Sequence, residues 1–381
     1  MASPEIEKWF RSRKYAQVNG CRVRPIPHPV LKEEPLSIQK GQAVAICLIR
    51  DGGGKWILKK FHPGRNLDRC YLESVTALLP WLDGFIAGTQ RQILSSDRLT
   101  RVPRCYYAND LASFINDTIL MPQASGIPWS SLADDIREGQ IQLSREQRIS
   151  LCRNLTELVA ALEDGNCCHR DITSGNAFID LTLWKIYLID FDSLYHPSLT
   201  MPMATTCGTI GYAPPFAWRT GALDPKLTWC LHADRYALGI LIAEFCILDK
   251  GSPMTSDGGM FDRDELRQRS GRGLDAARRT LHSQWPAAAR LFDATINSKN
   301  FESCPSPQDW QCAIDSIFPK PPSLAHLESI PAGYFEQVLK SARRPAAILR
   351  PPPALSEIPE FKVEPRNYFS NVLALPPDPW N

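Results

Sequence analysis

Two apolar stretches near the amino terminus predict a β-hairpin. They cover 43–49 and 56–61, and Asp51-Gly52-Gly53-Gly54 lies between them as a turn. Two lysines, Lys59 and Lys60, fall in the second stretch. Because side chains alternate between the two faces of a strand, only one of them can face the interior. Alternation alone leaves open whether Lys59 or Lys60 faces inward.

Apolar residues with helical spacing follow the hairpin. The segment 66–82 carries leucines and a valine on one predicted face, and Glu73 lies beside that face. A longer helix is predicted over 144–164, starting with a capping box at Ser144 and ending at Gly165. Between these helices, 118–121 predicts a strand that leads into a connector marked by proline and glycine.

The pattern changes again towards the carboxyl terminus. Helices are predicted at about 262–268, 274–283, 287–296 and 307–317. From 319 onward proline is frequent, which predicts an extension or linker without a regular core. We therefore expect an amino-terminal extension at 1–35, a β-rich part, a mainly helical part, and a proline-rich segment at 319–381.

Three polar side chains stand where they can share one small volume. Asp171 follows the long helix, Asn176 comes five residues later, and Asp190 directly follows the apolar run 186–189. Phosphoryl transfer needs a carboxylate to orient the attacking hydroxyl, and oxygen ligands that hold Mg²⁺ against the phosphates. This spacing predicts Asp171 as the catalytic carboxylate, with Asn176 and Asp190 as metal ligands.

Composition narrows the classes of partner and compartment. The 381 residues carry a net charge of +2 without a long block of like charge, so no nucleic-acid or polybasic membrane partner is expected. The twelve cysteines are scattered without a C-x-x-C pair, which predicts neither a zinc site nor a disulfide framework. Reduced thiols, with no apolar membrane or signal segment, predict a cytoplasmic protein.

The motifs together resemble the eukaryotic-type protein kinases. His169-Arg170-Asp171 with Asn176 matches the catalytic loop of that family, and Asp190-Phe191-Asp192 stands in place of D-F-G. The segments 208–214 and 234–239 are similar to the end of the activation loop and to a core helix in which Asp234 braces the catalytic loop. The resemblance implies an α+β, bilobal fold over 36–318, with a small β-rich N-lobe at about 36–125 and a larger, mainly helical C-lobe at about 126–318.

The same resemblance implies roles in binding ATP. Lys59 would hold the phosphates and form an ion pair with Glu73. The glycine-rich loop is reduced to Gly41. At the hinge between the lobes, the adenine would contact three residues on the two sides of Pro122: Leu120 as pocket lining, the Met121 carbonyl, and the Gln123 N–H.

Several positions depart from the family pattern. Phe216 and Cys304 replace a glutamate and an arginine that form a buried ion pair, so we expect the two side chains to meet as an apolar substitute. Thr173 replaces a lysine. Asp192 replaces the glycine of D-F-G, which removes easy access to positive φ and predicts a fixed, active-like geometry. This D-F-D resembles a bacterial subgroup whose members act beside a phosphatase and a von Willebrand-type partner.

The predicted function is that of an ATP- and Mg²⁺-dependent serine/threonine kinase acting on a protein substrate and on itself. Two alternatives stay open: a pseudokinase scaffold that binds a partner, and a small-molecule kinase on the same fold. Retention of the predicted lysine, glutamate, catalytic aspartate and metal ligands argues against the first. The segment 208–212, which in protein kinases shapes a peptide-binding shelf, argues against the second.

Overall fold

The chain divides into two compact units, 1–320 and 321–381. The computed structural model describes residues 9, 11, 14–27, 36–39, 43–62, 68–95, 99–101, 108–202, 208–219, 222–253 and 259–317. All of these belong to the first unit. The proline-rich segment predicted at 319–381, and the Gly41 predicted to contact phosphate, lie outside the described residues.

An antiparallel sheet dominates the amino-terminal half. Its strands are β1 (Ala16–Val18), β2 (Cys21–Pro25), β3 (Leu36–Gln39), β4 (Ala43–Arg50), β5 (Lys55–Phe61), β6 (Gln92–Ile93), β7 (Leu99–Arg101) and β8 (Ile119–Pro122). They lie in the order β6-β8-β5-β4-β2-β1-β7, with β3 paired to β4. The predicted hairpin is β4-β5, and its turn uses Gly52 and Gly53 at φ values of 97° and 92°, which glycine adopts without a steric penalty.

The register of β5 decides which side chains face the second lobe. Lys59 pairs with Ile119 of β8, and Leu58 pairs with Leu120. Paired residues point to the same face of a sheet. Leu58 and Leu120 are buried in the core of the first lobe together with Trp9. Lys59 and Ile119 therefore point the other way, towards the second lobe.

Helices α1 (Arg69–Leu78), α2 (Ile86–Thr89) and α3 (Ala108–Ile115) accompany the sheet. Asp68 caps the amino terminus of α1, where its side chain accepts a hydrogen bond from the Cys70 N–H. Its buried residues are Tyr71, Leu72 and Val75. The side of α1 that carries these three residues is thus its packed face.

The second lobe is mainly helical. Its elements are β9 (Ile127–Pro128), α4 (Trp129–Glu138), α5 (Arg145–Asp164), β10 (Ala177–Asp180), β11 (Lys185–Leu188), β12 (Trp218–Arg219), β13 (Ala222–Leu223), α6 (Arg235–Ile247), α7 (Arg263–Gln268), α8 (Arg272–Gln284), α9 (Pro286–Asn297) and α10 (Pro307–Ile317). Helix α6 is buried along almost its whole length and lies at the centre, packed against α5, α8 and α9. A β-rich lobe followed by a helical lobe confirms the predicted bilobal α+β fold.

Helix α5 delivers the chain into the catalytic loop. The predicted capping box is formed, since the Gln147 N–H donates to Ser144 Oγ at 3.2 Å and the Ser144 N–H donates to Gln147 Oε1 at 2.7 Å. The helix ends before Gly165, as predicted. No helix in the described ranges is both long and apolar enough to span a bilayer.

The position of the family's buried ion pair in the second lobe carries an aromatic contact that the sequence did not predict. The ring of Phe216 packs edge-to-face on Phe301, with 5.0 Å between the centroids. Cys304 is buried nearby, and its thiol donates to the Asn300 carbonyl at 3.6 Å. The aromatic partner of Phe216 is therefore Phe301, three residues before the position predicted from the motif.

Candidate active site

The catalytic loop brings Asp171 and Asn176 into direct contact. Asn176 Nδ2 donates to the Asp171 carbonyl at 2.8 Å and to Asp171 Oδ2 at 3.2 Å. The other carboxylate oxygen, Asp171 Oδ1, accepts from Thr209 Oγ1 at 3.0 Å. Because the Asn176 amide nitrogen is bound to Asp171, its Oδ1 is the atom that can serve as a metal ligand.

Asp234 braces the backbone of this loop. Its buried carboxylate accepts from the His169 N–H at 2.6 Å and from the Arg170 N–H at 2.8 Å. Arg170 has a φ of 68°, which is uncommon for a residue other than glycine. The two charge-assisted hydrogen bonds hold that conformation in place, and they form the brace that the sequence predicted.

The Arg170 side chain connects the loop to the segments around it. The buried guanidinium donates to the carbonyls of Ser193 at 3.0 Å and Thr228 at 2.9 Å, and it stacks on the Trp229 ring at 4.6 Å. Five N–H donors in a planar group suit such a site. The Arg170 side chain thus ties the catalytic loop to the two segments that carry Ser193 and Thr228.

The β10–β11 hairpin places Asn176 and Asp190 side by side. Asn176 precedes β10 and Asp190 follows β11, and the Ile189 N–H donates to the Asn176 carbonyl at 3.0 Å. Asp190 has a φ of 68° and leads into a 3-10 turn over Phe191–Ser193. The positive φ of this motif therefore falls on Asp190, and Asp192 needs none. This accounts for why aspartate fits where the family has glycine.

The buried Phe191 ring fixes the motif against both lobes. It packs on the His169 ring at 4.8 Å and edge-to-face on Phe85 at 5.6 Å between centroids. A side chain 1% exposed in such contacts has little freedom to leave its position. The fixed, active-like geometry inferred for this segment stays a prediction.

Lys59 crosses the cleft and meets the acids of the second lobe. Its Nζ lies 2.7 Å from Asp190 Oδ1 and 2.7 Å from Asp192 Oδ2, and the lysine is 3% exposed. Burial alone would lower the pKa of Lys59, but the charges of the two aspartates outweigh burial and raise it. Lys60 points to the opposite face, where its Nζ donates to the Asn116 carbonyl.

The predicted ion pair between Lys59 and Glu73 is not formed. Glu73 lies on the exposed side of α1, where its Oε1 accepts from Arg69 Nε at 2.8 Å in a surface i,i+4 pair. The packed face of α1 carries the neighbouring Tyr71 and Leu72 instead. A difference of one residue turns a helical side chain by about 100°, which is enough to move it from the cleft to the solvent.

Two of the predicted adenine contacts are also wrong. Leu120 points into the core of the first lobe, because it is paired with Leu58 and alternates with the residues that face the cleft. The Gln123 N–H donates to the Lys55 carbonyl at 3.0 Å and so is already used within the sheet. The Met121 side chain, in contrast, lies on the cleft side with Ile119, although its backbone is paired with Ile57 of β5.

The electrostatics of the site suit a divalent cation. Burial raises the pKa of Asp171 to about 7, with a further contribution from the charge of Asp190. Burial also raises the pKa of Asp190, although Lys59 opposes that rise. Carboxylate and amide oxygens are the ligands that Mg²⁺ prefers, and a cation would relieve the repulsion between the acids. The residues therefore fit the metal that the fold implies.

The protein ligands alone do not complete a metal site. In the part of the chain that the structure describes, no three His, Cys, Asp or Glu side chains are grouped to hold a metal ion. Mg²⁺ is commonly bound by one or two carboxylates together with substrate phosphates and water. Asp190 and the Asn176 oxygen fit that pattern.

Sequence reasoning missed two charged residues. Arg91 is buried beside Asp192, in a segment whose residue pattern gave no signal. Glu244 is buried in α6 and accepts from Trp129 Nε1 at 2.8 Å, the Met260 N–H at 3.0 Å and the Tyr212 hydroxyl. An acid inside the continuous apolar run of α6 was a usable signal, because a buried carboxylate requires partners.

Comparison with known proteins agrees with the fold. No family model matches the chain. The phosphorylase b kinase gamma catalytic chain, liver/testis isoform, of Homo sapiens is 27% identical over 184 residues, covering 45% of this chain and 44% of the relative. The same isoform of Mus musculus and of Bos taurus is 26% identical over the same length. The chain therefore spans less than half the length of these relatives, and it is distantly related to protein kinases.

Proposed function

We propose that this chain is a protein kinase that transfers the γ-phosphoryl group of ATP, with Mg²⁺, to serine or threonine hydroxyls of a protein substrate and of itself. The observation that supports this best is the convergence of Lys59, Asp171, Asn176 and Asp190 on one cleft between the lobes. They come from separate elements, and a kinase active site is the arrangement that requires all four.

Each residue has a defined task in this proposal. Asp171 orients the acceptor hydroxyl and receives its proton as the oxygen attacks phosphorus. The Asn176 oxygen and Asp190 hold Mg²⁺, which when bound neutralises charge on the phosphates. Lys59 supplies a positive charge to the phosphates, and Met121 lies on the cleft side of the hinge, where the adenine would bind.

Thr173 and Thr209 contact the catalytic loop, where the acceptor hydroxyl would bind. Thr173 Oγ1 accepts from the Asn176 N–H at 3.2 Å, so it stabilises the loop and does not reach the phosphates as a lysine would. Thr209 Oγ1 donates a hydrogen bond to the Asp171 carboxylate at 3.0 Å and so helps to hold the group that would orient the acceptor hydroxyl. The relatives named above, kinases of phosphorylase b, also favour a protein acceptor.

The alternatives differ in what they transfer. A pseudokinase scaffold would bind nucleotide or a partner without turnover, and a small-molecule kinase would leave proteins unlabelled.

The bacterial D-F-D subgroup, with a cognate phosphatase and a von Willebrand-type partner, stays a proposal that follows from the resemblance alone. The cytoplasmic location is likewise a prediction.

The direct test is transfer from γ-labelled ATP. Purified chain is incubated with Mg²⁺ and a general acceptor protein, beside Asp171→Asn and the matched control Asp275→Asn, which makes the same change at an exposed acid of α8. We expect acid-precipitable label on serine and threonine with the wild type and with Asp275→Asn. Asp171→Asn should lower the rate by about 100-fold or more. Nucleotide binding without transfer would favour the scaffold, and label on small molecules alone would favour the other kinase class.

A further inference from the structure

Asp192 is bound through both of its carboxylate oxygens. Oδ2 lies 2.7 Å from Lys59 Nζ, and Oδ1 lies 2.9 Å from Arg91 Nη1. The side chains of Lys59, Asp192 and Arg91 are 3%, 11% and 2% exposed. Asp192 therefore bridges two buried cations.

Arg91 is in turn anchored on helix α1. Its Nε donates to Thr76 Oγ1 at 2.8 Å and its Nη2 donates to the Leu72 carbonyl at 2.9 Å. The guanidinium has no freedom to follow a moving aspartate, because three of its nitrogens are bound. A continuous chain of contacts thus runs from α1 through Arg91 and Asp192 to Lys59.

Charge balance assigns a special task to Asp192. Lys59 and Arg91 are offset by Asp190 and Asp192 in the structure. In the proposed reaction Asp190 serves Mg²⁺, which removes one of the two carboxylates from Lys59. A buried cation left without a counterion is strongly unfavourable, and Glu73 is on the exposed side of α1 with Arg69. Asp192 is the acid that stays with the lysine.

We propose that Asp192 is the residue that positions Lys59 for the phosphates, in the place that the family gives to a glutamate of the helix. The inference rests on the proposed function, because only that function brings phosphates to Lys59. The contact between Asp192 and Lys59 stands independently of it. Helix α1 then acts on the lysine through Arg91, and no carboxylate of α1 is needed. Aspartate at the third position of D-F-D is in this view a positioning residue and more than a substitute for glycine.

The rival explanation is that Asp192 only neutralises Arg91. Both explanations expect Asp192→Asn to be harmful, since it leaves Arg91 buried without its acid. The two explanations give different predictions for the double variant Asp192→Asn/Arg91→Met. This variant removes both charges and fills the space of the Arg91 side chain with an unbranched apolar one. A structural role is repaired by that change, whereas a role in holding Lys59 is not.

The experiment measures Lys59 directly in nucleotide-free protein. Wild type, Asp192→Asn, the double variant and Glu73→Gln are treated briefly with a small acylating reagent, and peptide mass spectrometry gives the modification rate of Lys59. Lys60, on the other face of the same strand, is the internal reference for opening of β5. Thermal melts and the kcat and KM for ATP are measured on the same proteins.

We expect Asp192→Asn to raise the ratio of Lys59 to Lys60 acylation by about fivefold or more and to lower kcat/KM by about tenfold or more, because Lys59 then keeps only Asp190 and loses the carboxylate that ties it to Arg91. Glu73→Gln should stay within about twofold on both measures, as an exposed pair contributes little. The double variant should recover much of the melting temperature while Lys59 stays reactive and transfer stays low.

Three results would overturn the proposal. One is recovery of both acylation ratio and transfer in the double variant, which would leave Asp192 a partner of Arg91 only. Another is an effect of Glu73→Gln as large as that of Asp192→Asn, and the third is an unchanged Lys59 ratio in Asp192→Asn. If the wild type transfers no phosphate, the proposed function fails, but the acylation ratios still decide whether Asp192 holds Lys59.

Discussion

The catalytic loop and the lysine cluster both keep charge buried, but they are built in different ways. In the loop, Asp171 and Asn176 are five residues apart, and the backbone is fixed by one carboxylate, that of Asp234. The cluster joins Lys59 of β5 to acids more than 130 residues later in the chain. The loop is therefore specified by local spacing, whereas the cluster is specified by register and packing between lobes.

The largest effect should come from Lys59, whereas the same change at its neighbour Lys60 should have little effect. Lys59→Met removes the cation that faces the acids and should lower kcat/KM for ATP by about 100-fold or more. Lys60→Met removes a lysine that binds the Asn116 carbonyl on the other face of the strand. This change should alter kcat/KM for ATP by less than about threefold. Steady-state kinetics of the two variants decide the matter. Equal losses would mean that the described register of β5 does not set the site.

A smaller effect is expected from the brace of the catalytic loop. In Asp234→Asn one of the two backbone N–H groups, that of His169 or Arg170, faces a nitrogen in place of an oxygen. The resulting unsatisfied group should destabilise the protein by about 1–3 kcal/mol. Transfer should fall by about tenfold, since the loop that carries Asp171 loses its support.

Denaturant melts and kinetics are compared with Asp275→Asn, the same change at an exposed acid. A loss of stability without any loss of transfer would separate the brace from catalysis. The loop would then hold its shape through the Arg170 contacts alone.

The smallest effect concerns the apolar replacement of the family's ion pair. Phe216→Ala and Phe301→Ala should be coupled by about 0.5–1.5 kcal/mol in a double-mutant cycle, because the two rings are in edge-to-face contact. Phe216→Ala and Cys304→Ala should be additive within about 0.5 kcal/mol. Denaturant melts measure both cycles. Coupling to Cys304 in place of Phe301 would restore the pairing first inferred from the motif.

The sequence predicted the second lobe more closely than the first. Asp171 and Asn176 lie in one loop and Asp190 follows the hairpin after it, so residues that are close along the chain are also close in the fold. Asp234 comes 65 residues after His169 and was placed by the family resemblance. Lys59 was placed by its match to the strand lysine of the family, and strand alternation then put Lys60 on the other face. The contacts within the catalytic loop followed from short-range spacing that tertiary packing did not override.

The errors arose where one residue of register changes the direction of a side chain. Leu120 lies next to Ile119 and Met121 but on the other face of β8, and Glu73 lies next to Leu72 but on the other side of α1. Periodicity gives the face of a whole element and does not fix which neighbour points into a cleft.

Asp192 and Arg91 could not be paired from the sequence at all, because no local pattern links positions 101 residues apart. Glu244 is a different case. Its place within an apolar helix marked it as a buried acid with partners, although the partners themselves required the structure.

The measurement that tests the central claim most directly is Mg²⁺-dependent phosphoryl transfer by Asp190→Asn, with thermal melts of the same protein. Lys59 keeps Asp192 as its counterion in this variant, so the fold should be retained. We predict that the melting transition stays cooperative and near that of the wild type, while transfer falls by about 100-fold or more because a metal ligand is lost. A folded variant that transfers phosphate at the wild-type rate would contradict the assignment of this cleft as a kinase active site.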